Sequence, residues 1–307
     1  MPGGVDARPP APDGLVVVDK EAGWTSHDVV AKARGILHTR KIGHSGTLDP
    51  DATGVLLLGV GRATRLLRFL HELPKSYTAE IVLGVETTTL DAGGEVVATH
   101  DMGAVTVEQA REAAAALTGD ILQVPPMVSA VKVGGQRLHA LARQGIEVER
   151  EARPVTVHRF DLLATDDPAV LRAEVVCSSG TYVRSLAADL GHALGGGAHL
   201  RNLRRTAIGP FTLADAHALD DLVVLPIDAA VHALDAVTVD GPLDAAVRHG
   251  KVLERADLGL APPEPDAETP DGPWAVFGPD GELLAVYESH RGTTVKPAVV
   301  VAAQVDG

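Results

Sequence analysis

A single cysteine, Cys177, stands among the 307 residues. One thiol cannot close an intramolecular disulfide, and no Cys/His spacing resembles a structural zinc site, so the chain reads as a protein of a reducing, cytosolic compartment that holds no metal. Long apolar runs are missing as well. Nowhere do about 18 uncharged apolar residues follow one another, and the opening MPGGVDARPPAPD has no stretch that could serve as a signal peptide, so the reading is of a protein that does not enter a membrane. An excess of basic residues is also absent. The formal charge is −14, which argues against a chain that grips a polyanion over its whole surface.

The distribution of that charge matters more than its sum. Residues 214–307 carry 17 acidic and 5 basic side chains, so the first 213 residues are nearly neutral. Within them, residues 14–70 hold 8 basic against 5 acidic residues, and Arg201, Arg204 and Arg205 stand close together. Local basic surfaces therefore remain open, mixing surface charge and phosphate contacts.

With 45% hydrophobic residues there is ample material for a packed core in one large domain and one small one. The Pro/Gly-rich residues 1–13 cannot bury enough apolar surface to offset ordering entropy and read as a disordered tail. Residues 15–19 form a β-rich run. Ser26 then stands as an N-cap before Val29, Val30, Ala33, Ile36 and Leu37, which recur at helical spacing. Residues 43–50 show no period and are rich in turn formers, while residues 54–60 are a continuous apolar run suited to a buried strand.

Further on, residues 77–84 read as a strand, and Thr106 with Gln109 forms a capping box for an Ala-rich helix. Residues 155–164 and 170–177 look like neighbouring strands, and residues 181–194 carry a helical pattern closed by three glycines. Strands do not alternate strictly with helices, so the expected class is α+β. Acidic residues become frequent after Phe211, and a domain boundary is placed near residue 225, giving domains 14–225 and 226–307. In the second, residues 243–253 suggest a helix. Residues 274–277, 283–288 and 295–302 suggest strands, with a turn at Pro279-Asp280-Gly281 and a Pro-rich mobile loop over 261–273.

The segment Gly43-His44-Ser45-Gly46-Thr47-Leu48-Asp49-Pro50-Asp51-Ala52-Thr53-Gly54-Val55-Leu56 places a carboxylate in a turn-rich loop just ahead of an apolar strand. Taken alone, Asp49 is as readily a turn residue as a catalytic one, since Asp-Pro commonly opens turns. Arg184 is as readily a surface arginine, Tyr77 a sheet aromatic, Leu203 a core residue and Lys20 a solvated lysine. His27, His38 and His44 have spacings that match no recognised metal pattern.

The same segment, however, is similar to the pattern G-H-x-G-T-L-D-P-x-A-T-G-V-L of the bacterial tRNA pseudouridine-55 synthases and their relatives. Other pieces resemble that family in the same order across residues 14–211: Asp19-Lys20 with Gly23-Trp24-Thr25-Ser26-His27-Asp28, Lys75-Ser76-Tyr77, Ser129-Ala130-Val131-Lys132, Gly180-Thr181-Tyr182-Val183-Arg184-Ser185-Leu186, Leu203-Arg204-Arg205-Thr206 and Gly209-Pro210-Phe211. Glu21 stands where a proline is usual, and His139 where the family often has tyrosine.

The resemblance implies an α+β, mixed-sheet catalytic domain followed by a small β-rich PUA-like domain. It implies isomerisation of a T-loop uridine, position 55 of tRNA, by a stand-alone monomer acting on the T arm without cofactor, metal or protein partner. It assigns Asp49 as the catalytic carboxylate, Arg184 as the cation that keeps it ionised and Tyr77 as the ring against the extruded uracil. Leu203 becomes a wall of the uracil pocket, Tyr182 a substrate-binding residue, Lys20 a support for the loop or the RNA, and His44 the ring that enters the space left by the extruded base. An RNA-guided relative, a non-catalytic T-loop binder and a glycoside hydrolase are the rival readings. The last would need a second paired carboxylate, for which Asp51 is the one candidate.

Overall fold

The computed structural model describes residues 11–129, 132–133, 136–137, 146, 148–262 and 271–302. Nine strands form one mixed sheet: β1 (Gly14–Lys20), β2 (Ile42–Ser45), β3 (Thr53–Val60), β4 (Lys75–Leu83), β5 (Gly119–Gln123), β6 (Arg153–Ala164), β7 (Val170–Cys177), β8 (Ala198–Ile208) and β9 (Phe211–Thr212). Their order is β1-β3-β8-β4-β7-β6-β5, with β2 paired to β3 and β9 to β8. The β3–β8 pair is parallel and the rest are antiparallel. The α+β expectation is met.

The apolar run of β3 follows from burial on both faces. Val55 and Leu57 point with Leu15 and Val17 of β1 into one core, while Leu56 and Leu58 point with Val16 and Val18 into another beneath helix α1 (Ser26–Ile36). A strand covered on both faces shows no polar alternation. A third core lies between the β4–β8 half of the sheet and the helices α3 (Val107–Ala116) and α4 (Val183–Ala193). Ile81, Ala173 and Leu200 meet Ala110, Leu186 and Leu190 there. A short helix, α2 (Leu67–Glu72), leads into β4.

Several expectations shift. The N-cap of α1 is Thr25, not Ser26. Thr25 and Asp28 form the reciprocal capping box, which releases the Ser26 hydroxyl for another partner. The turn-rich stretch 43–50 is half strand, since Ile42–Ser45 pairs with Leu57–Val60. Arg201, Arg204 and Arg205, expected to mix surface charge with phosphate contacts, all stand on β8, the strand between β3 and β4.

The C-terminal part forms a second, five-stranded sheet of β10 (Asp235–Thr238), β11 (Leu253–Glu254), β12 (Trp274–Phe277), β13 (Leu283–Ser289) and β14 (Thr294–Val300), in the order β10-β12-β13-β14-β11. The helix α5 (Gly241–Arg248) ends earlier than the 243–253 pattern suggests. The Pro279-Asp280-Gly281 turn joins β12 to β13 as expected, closed by the Gly278 N–H donating to the Glu282 carbonyl at 2.9 Å. Most of the expected mobile loop, and His139, lie outside the described residues. Among the described residues no helix is long and apolar enough to cross a membrane.

Candidate active site

The Asp49 loop exists because two strands share one edge of β3. The N-terminal end of that edge, Thr53 and Gly54, pairs with Arg204 and Arg205 of β8, and the remainder pairs with β2. Residues 46–52 must therefore leave the sheet where β2 yields to β8, and they rise over a gap in it. Gly54 is required at this junction. Its φ is +103°, and a Cβ there would sit 2.1 Å from the Arg205 carbonyl oxygen.

The loop is braced from beneath along its length. The Arg205 guanidinium, buried within the sheet, donates to the carbonyls of Val55 (2.7 Å), Gly46 (3.2 Å) and Thr47 (3.5 Å). The released Ser26 hydroxyl accepts from the Leu48 N–H at 2.9 Å and donates to the Leu48 carbonyl at 3.3 Å. The Lys20 ammonium, 1% exposed, donates to the carbonyls of Glu21 (2.9 Å), Trp24 (2.7 Å) and Pro50 (2.9 Å). Burial pulls its pKa down to about 8, against the pull of Asp51 and Asp49. Lys20 thus serves the loop, and Arg205 is a brace rather than the surface or phosphate-contacting cation expected of it. Arg204 binds Asp19 at 2.7 Å, and Arg201 binds Glu80 at 2.6 Å.

The main chain of Asp49 closes a turn, its carbonyl accepting from the Ala52 N–H at 3.1 Å. Its side chain does more. Asp49 Oδ2 lies 2.9 Å from Nε of Arg184, the second residue of α4. Arg184 is 5% exposed and makes three further contacts: Nη1 donates to the Thr89 carbonyl (2.9 Å) and lies 3.4 Å from Asp91 Oδ2, and Nη2 donates to the Val128 carbonyl (2.9 Å). One guanidinium therefore ties the Asp49 loop, the 88–94 turn and the 124–129 segment together.

The Asp49 carboxylate remains 40% exposed at the cleft mouth. Crowding by protein raises its pKa, Arg184 opposes that rise, and the Asp91 carboxylate adds to it. Opposing influences thus act on one carboxylate in a cleft, a pattern that nominates it as a functional group.

Two clefts meet at this ion pair. One, of about 350 Å³, is lined by Asp49, Tyr77, Tyr182, Arg184 and Leu203 together with His71 and Lys75. The other, of about 470 Å³, is lined by Asp49, Asp51, Asp91, Arg184, Arg201 and Leu203. Leu203 reaches both because β8 bulges between Arg201 and Arg204, where Asn202 adopts φ +54°. Tyr77 pairs across β4 and β8 with Arg205, and burial raises its phenol pKa, so the ring presents a neutral hydroxyl. Lys75 is buried at the same wall, and burial pulls its pKa down to about 8. Tyr182 is fixed by the buried Gln123, whose amide accepts from the Tyr182 N–H at 2.7 Å and donates to its carbonyl at 3.2 Å.

Five of the seven expected site residues thus line one cleft. Lys20 lies beneath the loop, and His44 stands on β2 outside both clefts, its ring against His27. The sequence reading passed over Asp91, Gln123 and the bracing roles of Ser26 and Arg205. A signal for Asp91 was present. The tripeptide Thr-Leu-Asp occurs at residues 47–49 and again at 89–91, and the two aspartates flank the same arginine.

Comparison with known proteins gives the family. The family described as "TruB family pseudouridylate synthase (N terminal domain)" matches residues 34–183, and "tRNA pseudouridylate synthase B C-terminal domain" matches residues 184–248. A protein of Arthrobacter sp. (strain FB24) named tRNA pseudouridine synthase B is 49% identical over 94% of this chain and 96% of its own length. One of the same name from Streptomyces coelicolor is 48% identical over 94% and 97%. Among solved structures, a chain of a Cbf5-Nop10-Gar1 complex superposes with a TM-score of 0.74 at 28% identity, covering 95% of this chain and 85% of that one. The chain belongs to the TruB family and is a pseudouridine synthase.

Proposed function

We propose that this enzyme isomerises the T-loop uridine of tRNA, position 55, acting alone in the cytoplasm with Asp49 as its catalytic carboxylate. The observation that carries the reading is the Asp49–Arg184 pair of 2.9 Å set where two clefts open onto each other. A base must be detached, turned and rejoined beside one carboxylate, and a chamber extending to both sides of that carboxylate suits the task. The relatives over nearly the whole chain are named as tRNA enzymes, which favours tRNA as the substrate.

The chemistry breaks the N-glycosidic bond, forms a C–C bond to the same ribose carbon and moves one proton from the base carbon to the freed nitrogen, with no net redox change. An ionised Asp49 serves as nucleophile at the ribose or as base in forming a glycal, and both routes need the negative charge. Arg184 supplies the opposing charge. Tyr77 stacks on the uracil and offers a neutral hydroxyl for the proton step, while Leu203 and Tyr182 wall the base. His44 enters the space that the extruded base leaves, offsetting lost stacking of a few kcal/mol.

The test is incubation of the purified protein with unmodified tRNA and no other component, followed by mapping of pseudouridine. Asp49→Asn keeps the shape and lacks the charge, so it should give no product while binding tRNA within about tenfold of wild type, or about 1.4 kcal/mol. Measurable turnover by that variant removes Asp49 from the mechanism.

A further inference from the structure

The histidines at 27, 38 and 44 do not form a metal-binding group among the described residues, yet two of them meet. The rings of His27 and His44 lie with centroids 5.2 Å apart and planes inclined by 79°, an edge-to-face contact. A buried imidazole usually takes its orientation from a hydrogen bond at one ring nitrogen. His44 has none at Nδ1, which is buried and without a hydrogen-bond partner among the described residues. Its orientation therefore depends on packing, and the ring packed against it is His27.

The placement of His27 is fixed by the start of α1. Thr25 caps the helix with Asp28, Ser26 points down to Leu48 of the catalytic loop, and His27 points outward from the exposed first turn. The same turn that pins the Asp49 loop thus carries the side chain that contacts His44. Three cationic or titratable groups face the His44 ring: His27 from α1, His71 from α2 and Arg205 from β8. Together with burial they hold its pKa down to about 4, so the ring that meets RNA is neutral, shaped for stacking and not for ion pairing.

We propose that His27 is a positioning residue, holding the His44 ring through the edge-to-face contact in the orientation that fills the gap in the RNA stack. The inference rests on the T-loop reading above. Its weight falls on substrate binding, because His44 stands outside both clefts that meet at Asp49.

The test uses the full chain and a T-arm hairpin transcript in a double-mutant cycle. His27→Ala should raise KM about fivefold, equivalent to about 1 kcal/mol, with kcat held within about twofold. His27→Phe, which keeps an aromatic edge and loses the titratable nitrogens, should bring KM back to within about twofold of wild type. In a His44→Ala background, His27→Ala should have no further effect. Additive losses in the cycle overturn the proposal, because they mean that His27 meets RNA directly, and failure of His27→Phe to restore binding overturns it equally. Failure of the wild type to convert the hairpin uridine removes the T-loop reading and this inference with it. Turnover by the wild type with an additive cycle removes the inference alone.

Discussion

Replacing Arg184 in two ways separates its charge from its tethering. Arg184→Gln removes the cation 2.9 Å from Asp49 and leaves one amide where four contacts stood. Breaking a buried ion pair costs about 3–5 kcal/mol. Asp49 is 40% exposed, so solvent recovers part of that, and about 2–3 kcal/mol of lost transition-state stabilisation is the better figure. At about 1.4 kcal/mol per decade, kcat should fall about 30- to 150-fold. The direction of the pH effect follows from the charges on Asp49. Arg184 opposes the rise in its pKa, so removing Arg184 raises that pKa further, and the acidic limb of kcat/KM must move to higher pH. Arg184→Lys keeps the charge but cannot fork to the carbonyls of Thr89 and Val128. It should lose rate and thermal stability while its acidic limb stays closer to that of wild type. Single-turnover tritium release from T-arm RNA labelled at uracil C5, followed from about pH 5 to 9, reads both quantities. An Arg184→Gln enzyme with wild-type kcat, or an acidic limb displaced to lower pH, refutes the reasoning.

The neighbouring carboxylate gives the opposite sign. Asp91→Asn removes a like charge that raises the Asp49 pKa, so its acidic limb should move to lower pH while kcat falls from a looser Arg184, and an upward displacement counts against the arrangement. Lys20→Met strips the hydrogen-bond partner from the carbonyls of Glu21 and Trp24 while the Gly23 N–H still serves Pro50, and urea unfolding should show a loss of about 2 kcal/mol near neutral pH. Because the folded-state pKa of Lys20 is depressed to about 8 from 10.5, the folded state holds fewer protons than the unfolded chain between those values. The wild type should therefore gain stability relative to Lys20→Met as pH rises through that window, and a parallel pH dependence of the two would show an unperturbed lysine. Arg248→Gln with Lys296→Gln should leave the salt dependence of tRNA binding unchanged, since both cations are already paired within the second domain. A slope flatter by nearly two units would show that each contacts a phosphate at about 0.9 unit apiece.

Which parts of this enzyme could be read from its sequence depended on whether each signal was local. The double-sided burial of β3 left an unbroken apolar run, and the Thr106–Gln109 capping box announced α3. The Asp49 loop was legible through its long resemblance to a known pattern, and Asp49, Arg184, Tyr77, Tyr182 and Leu203 line one cleft. The central strand β8 was not legible, because its sequence AHLRNLRRTAI carries four polar or charged residues from 201 to 205. Their partners are distant in sequence: Glu80 for Arg201, Asp19 for Arg204, and the carbonyls of Gly46, Thr47 and Val55 for Arg205. The bulge at Asn202 also breaks the two-residue period on which strand recognition rests. Asp91 escaped for a related reason, as its role appears only when Arg184 of α4 arrives between it and Asp49.

The acidic C-terminal part shows the same dependence on distant partners, and it changes how the −14 charge should be understood. Arg248 lies between Asp244 and Glu282, Arg255 is buried against Asp271 with its guanidinium over Trp274, and Lys296 pairs with Glu288. Of the five basic residues beyond 213, only Lys251 and Arg291 are left exposed without an acidic partner among the described residues, too few for a phosphate-gripping face. Three arginines of the first 213 residues, Arg62, Arg65 and Arg68, reach toward the C-terminal sheet instead. Arg62 and Arg65 each donate at 2.7 Å to the carbonyls of Val301 and Val300, and Arg68 pairs with Glu288 at 3.0 Å. Beneath them Leu15, Val17 and Leu57 share one core with Ala275, Leu283 and Val286. The C-terminal sheet therefore buttresses the back of β1, which carries Lys20, and of β3, into which the Asp49 loop leads. Ending the chain near residue 225 would strip that core of half its walls and expose apolar surface, so the domain's part in RNA binding has to be measured by charge substitutions in the intact chain.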